Sequence, residues 1–182
     1  MSLSEVLRGT PAANGGLVPF AGEAYLRIAW FDRLPAFLMS IPSDTDLWMF
    51  VSSAGGLTAG RTDADGSLFP YVTEDQLHEA HHQTGPVTLL RVRRAGRPEV
   101  LWEPFSGTRS GDPAPERHLY KHPLGTPVVF EEIHHGLGLA FRYRWAACDA
   151  YGHVRTATLE NLTGEPVSVT LSALQPCEVL CR

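Results

Sequence analysis

Short apolar runs, broken by turn residues at close and even intervals, constrain this chain more than any other feature. The clearest pair lies near the C-terminal end. Over residues 154–159 the side chains alternate, with Val154, Thr156 and Thr158 on one side and Arg155, Ala157 and Leu159 on the other. Residues 167–171 repeat the pattern, and 161-NLTGEP-166 between them supplies Asn, Gly and Pro, the residues of tight turns. A period of two is that of a strand with one face buried, so the two segments read as a hairpin. The same reading extends upstream. Residues 23–28 alternate, 36–41 and 47–51 are apolar runs bounded by Pro, Ser and Gly, and glycines punctuate 57–59. Residues 86–92 and 99–102 flank 95-AGRP-98, and 128–133 and 139–145 follow a polar stretch at 106–116. About ten strands at this spacing predict an all-β fold, a large antiparallel β-sandwich. It would span 17–172, after a loose, Gly-rich leader at 1–16 and before a tail or linker start at 173–182.

One sandwich suits 182 residues, and 43% hydrophobic against 19% charged residues supply a core. Fifteen Lys and Arg against twenty Asp and Glu give a net charge of −5. The densest basic run, 91-RVRR-94, falls in an alternating stretch and reads as one exposed strand face, so nucleic acid is disfavoured as a partner. No apolar run reaches the about 18 residues that suggest a membrane span. The N-terminal MSLSEVLRG lacks the basic-then-apolar order of a secretory signal. Three cysteines, Cys148, Cys177 and Cys181, without such a signal imply free thiols in a reducing cytoplasm. There, Asn161-Leu162-Thr163 reads as part of a turn rather than as a glycosylation acceptor.

One segment departs from the strand pattern. In 73-TEDQLHEAHHQTG-85, Thr73 is placed to cap a short helix over about 73–84, and Gln76 completes a capping box. Glu74 and Asp75 suit its positive end, and Gly85-Pro86 ends it. Within it, 78-HEAHH-82 and Gly85 form H-E-x-x-H-x-x-G. His78 and His82, one turn apart on one face, could ligate zinc with Glu79 as base toward bound water. The third ligand is missing, because the extended pattern requires a histidine where Thr88 stands. The methionine turn should lie downstream, yet Met1, Met39 and Met49 all lie upstream. With Leu77 and Ala80 nearly its only apolar residues, the helix reads as solvated. No metal or cofactor is expected, and a zinc-dependent hydrolase is the alternative these residues leave.

Other clusters carry less. His134 and His135 are strand neighbours and point to opposite faces, so they cannot readily chelate one ion. Cys177 and Cys181 lack the two-residue spacing of zinc knuckles and redox pairs. Neither a nucleotide-binding glycine loop nor a serine elbow is present. What remains is aromatic and acidic. Trp48, Phe69, Tyr71, Trp102, Phe105, Tyr143 and Trp145, with Arg61, Asp75, Glu103, Glu131 and Glu132, are residue types that handle sugars, whose rings offer an apolar face and many hydroxyls. Most such rings in a sandwich are core. Glu131 and Glu132 suggest a glycosidase pair, but adjacent strand positions diverge.

The ordered strings 56-GLTAGR-61, 68-LFPY-71, 102-WEPF-105, 130-FEE-132, 137-LGLAFRYRW-145 and 159-LENLTGEP-166 resemble the N-terminal region of bacterial proteins similar to cellobiose phosphorylase, from about Leu17 to Leu171. The resemblance implies a β-supersandwich that packs on a helical catalytic barrel, helps form a homodimer and lends loops to the active-site mouth. It implies no catalytic residue within these 182 residues. The expected function is thus a non-catalytic β-sandwich domain of a carbohydrate-active enzyme, whose partners are a helical barrel, a second copy and a saccharide of β-glucoside type. The alternative is a stand-alone saccharide-binding or self-association module. Arg61, Tyr71, Asp75 and Trp102, read as loop or strand-end residues, are the expected contacts to sugar or partner domain.

Overall fold

The computed structural model describes residues 12–68, 71, 73–79, 84–107 and 114–174. Its elements are twelve strands, one α-helix and two short 3-10 turns. Six strands form one antiparallel sheet in the order β1 (Asn14–Phe20), β2 (Glu23–Ala29), β8 (Glu116–Lys121), β9 (Val128–His134), β10 (Leu139–Cys148) and β11 (Gly152–Asn161). Opposite lie two three-stranded sheets. One holds β3 (Leu38–Ser40), β4 (Leu47–Ser52) and β5 (Leu57–Arg61), and the other orders β12 (Ser168–Leu174), β6 (Val87–Arg93) and β7 (Val100–Trp102). Helix α1 (Glu74–Glu79) follows β5. The fold is an all-β sandwich, as the alternation implies.

Period-two alternation builds the core. Leu139, Phe141, Tyr143 and Trp145 of β10 face inward and pack with Val128 and Phe130 of β9 and Leu119 of β8. Across the interior they meet Met49, Val51, Leu57 and Ala59 from one small sheet and Leu90, Val92 and Trp102 from the other. Tyr25, Tyr120 and Val129 form a second cluster on the other face of the large sheet, under Val18 and Phe20. The β1–β2 turn explains how Phe20 reaches it. Ala21 and Gly22 both take positive φ, 52° and 86°, the geometry that matches the twist of a two-residue hairpin.

Three features differ from the sequence reading. β1 starts at Asn14, inside the stretch read as a leader, and pairs with β2 along its whole length. β8, with the sequence ERHLYK, has too few apolar residues to register as a strand, yet four of its six residues are buried. Its polar side chains are buried with partners, which periodicity alone does not reveal. Finally, 154–159 and 167–171 are not a hairpin. β11 pairs with β10 while β12 pairs with β6, so 161-NLTGEP-166 crosses from one layer to the other. Asn161 holds that crossing. Its Oδ1 accepts from the Thr163 N–H at 3.2 Å and its Nδ2 donates to the Glu165 carbonyl at 2.8 Å. Arg94, at the end of β6, donates to the carbonyls of Leu137 and Glu165 at 2.9 and 3.1 Å and pins the turn to the second sheet. Arg91 and Arg93 are exposed and pair with Glu99, so of the basic run only Arg94 leaves the strand face.

Candidate functional site

On β4, alternation sends Met49 and Val51 into the core and Trp48, Phe50 and Ser52 to the opposite face. Helix α1 packs over that face at the Ser52 end. There the buried Ser52 hydroxyl and His78 Nδ1 share a 2.7 Å hydrogen bond, and Leu77 is buried. The other end stays open. The rings of Trp48 and Phe50 lie 6.0 Å apart, and Tyr71 meets Trp48 edge-on at 6.1 Å. Tyr71 is 59% exposed and Phe50 37%.

The seating of Trp48 is built in. Its cross-strand partner is Gly60, where any Cβ would overlap the indole, and its Nε1 donates to the Asp63 carbonyl at 3.2 Å. Asp63 in turn caps the 3-10 turn Ala64–Gly66 by accepting from the Asp65 and Gly66 amides. Arg61 follows Gly60 at this same end and forms an exposed 3.0 Å ion pair with Asp46. The three rings share one outer face, and the guanidinium and carboxylate lie at the same end of the β4–β5 pair; aromatic faces of this kind complement the apolar face of a sugar ring.

Of the residues singled out by sequence, Tyr71 and Arg61 therefore lie at one end of the β4–β5 pair. Asp75 serves the start of α1, where the Thr73 hydroxyl and the Gln76 amide hold its carboxyl below the usual range. Trp102 is no surface contact, for it is 3% exposed within the core. His78 is tied to Ser52 and Glu79 is exposed, while His82 and Phe69 lie outside the described residues. Among the described residues no cluster of His, Cys, Asp and Glu could hold a metal ion. Cys177 and Cys181 also lie outside them, and Cys148 is a free thiol. His134 and His135 do part, as strand neighbours should. His134 packs 5.6 Å from Trp102, and His135 reaches Glu116 at 2.9 Å.

The acids of β9 are both buried and both occupied. Glu132 accepts from Trp102 Nε1 at 2.8 Å, from the Phe105 amide at 2.7 Å and from Arg117 Nε at 2.7 Å. Glu131, on the outer face, accepts from the Tyr120 hydroxyl at 2.6 Å and from Arg142 Nε. Burial, then the bond to Glu131, pushes the Tyr120 phenol far up, so it stays a donor. Carboxylates on opposite faces, each saturated by donors, cannot flank one glycosidic bond.

Phe50 was legible by its position two residues from Trp48 on a strand. Asp46 carries no sequence signal, since it is chosen by Arg61 on the neighbouring strand. Compared with known proteins, the chain matches no family model and no curated sequence. What fold and site define is a class, an all-β sandwich with an exposed aromatic cluster on one outer face.

Proposed function

We propose that the chain is a non-catalytic β-sandwich domain of a carbohydrate-active enzyme, working beside a helical catalytic barrel, and that it meets saccharide of β-glucoside type through the Trp48–Phe50–Tyr71 cluster. The observation that carries this reading is the open cluster itself, in which Gly60 and the Asp63 carbonyl fix the indole with Tyr71 and Phe50 beside it. Preorganised aromatic surface loses little freedom on binding, which favours its use as a contact. The saturated state of Glu131 and Glu132 supports the non-catalytic part.

The test is a calorimetric titration of the chain with cellohexaose. Saturable binding is expected, with Trp48→Ala and Tyr71→Ala each weakening it by about tenfold, or about 1.4 kcal/mol. Parallel incubation with cellobiose and phosphate should release no glucose 1-phosphate. Absence of saturable binding in the wild-type chain, or turnover that survives purification, would sink the reading.

A further inference from the structure

Arg117 and Arg142 are drawn into the sandwich by carboxylates, Glu132 for the first and Glu131 with Glu160 for the second. Arg155 is not. It stands on β11 opposite Trp145 of β10, and this cross-strand pairing puts both side chains on the core face. From there its guanidinium lies 4.8 Å over the Tyr143 ring, and its Nη2 donates to the hydroxyl of the buried Thr88 on β6 at 3.1 Å. The side chain thus reaches from one layer to the other.

That bond is the only one its guanidinium forms among the described residues. Arg155 Nε is buried without a partner, and so is Nε1 of the neighbouring Trp145, a residue only 5% exposed. Burial works against the charge of Arg155, and Tyr143 alone opposes that effect. A ring face attracts a cation but satisfies none of its N–H groups. Buried N–H groups are rarely left unbonded, because each then loses its hydration without return. Here two such groups belong to one cross-strand pair.

The donors select the ligand. The free groups of Arg155 and Trp145 are N–H only, so they fit a ligand that accepts without donating. One uncompensated positive charge fits one negative charge. A planar guanidinium suits a planar carboxylate, whereas a phosphate dianion would bring a second charge for which this pair offers no cation. Access is open as well, since β11 is an edge strand of the large sheet and Arg155 is only partly buried. We propose that Arg155, with the Trp145 indole beside it, binds the carboxylate group of a small organic acid at this edge. The site lies on β10 and β11 rather than on β4, and does not rest on the saccharide reading.

The test titrates the isotope-labelled whole chain with sodium acetate at constant ionic strength. It follows the Arg155 Nε–H and Trp145 Nε1–H resonances by NMR, the second identified by its loss in Trp145→Phe. Both should shift and saturate together, with phosphate weaker and acetamide, the neutral analogue, moving neither. Arg155→Lys, which keeps the charge and loses the planar fork, should weaken acetate about tenfold. Acetate should also raise the melting temperature of the wild-type chain and leave that of Arg155→Gln unchanged. If Arg155→Gln fails to fold, the wild-type resonances and Arg155→Lys decide. No saturable shift, an equal response to acetamide, tighter phosphate, undiminished affinity in Arg155→Lys, or acetate stabilising Arg155→Gln as much as the wild type would each overturn the proposal.

Discussion

Glu131 and Glu132 are neighbours on β9, both nearly fully buried, and they do different work because a strand turns them to opposite faces. Glu132 looks inward and ties elements across the sandwich. Trp102 comes from the opposite layer, Phe105 from the loop after it and Arg117 from β8. Glu131 looks outward and ties strands within one sheet, linking Tyr120 of β8 to Arg142 of β10, which also holds Glu160 of β11. One carboxylate is a cross-layer bolt, and the other a lateral splice. Burial alone does not set the worth of a buried acid; what it connects, and what its partners can fall back on, does.

Substitution puts that contrast to the test. Glu132→Ala removes the partner of the buried Trp102 indole and the close ion pair of Arg117, which keeps the Ser106 carbonyl and the longer 3.8 Å approach to Asp32, and should cost about 3–5 kcal/mol in urea denaturation. Glu131→Ala should cost less, about 1–3 kcal/mol, because Arg142 retains Glu160 and its side chain is 24% exposed. Equal losses would show that the two faces are not distinguished in this way. His78→Ala should cost about 1–2 kcal/mol, since the buried Ser52 hydroxyl loses its partner on α1 and keeps only the Ala54 amide at 3.0 Å. A loss near zero would mean that α1 is only a solvated appendage, as its sequence suggests.

The smallest effect is one of pH. Burial, then the positive charge of Arg27, lowers the pKa of His118 on the outer face. Arg27 Nη2 donates to its Nε2 at 3.0 Å, so the ring is held neutral. Burial likewise lowers the pKa of His153, on the core face of β11. As pH falls, the unfolded chain therefore protonates first. Stability is full well above the ordinary value of 6.5 and declines as pH drops below it. His118→Gln and His153→Gln should each flatten that decline in denaturant midpoints between pH 7.5 and about 5. A stability that rises on acidification would contradict the buried, neutral state of both rings.

Much of the sandwich was legible because apolar alternation is a local property. Residues 23–28, 47–51, 87–92 and 139–145 all lie in strands for that reason. β8 was not, because Arg117 and His118 are buried on account of Glu132 and Arg27, and pairing across the fold leaves no periodic trace. The crossing at Asn161 reads as a hairpin in the sequence because the same Asn, Gly and Pro chemistry serves a hairpin and a passage between sheets. Arg94 distinguishes them, from a strand more than sixty residues away. At the site, Tyr71 and Arg61 could be named by type, but Trp102 could not be told from a surface ring until Glu132 was seen to hold its indole.

The placement of β8 beside β2 has a consequence in time. Arg27 and His118 lie 91 positions apart, and Ile28 pairs with Leu119 at the same separation. The β1–β2 hairpin can form as soon as it is made, but its inner neighbour does not yet exist. At about 5–20 residues per second on the ribosome, the hairpin waits on the order of 5–20 s for its partner. During that interval the inner edge of β2 is bare and Tyr25 lacks Tyr120 beside it. Closing so distant a pairing is slow, and until it closes the bare edge of β2 is open to pairing with other strands.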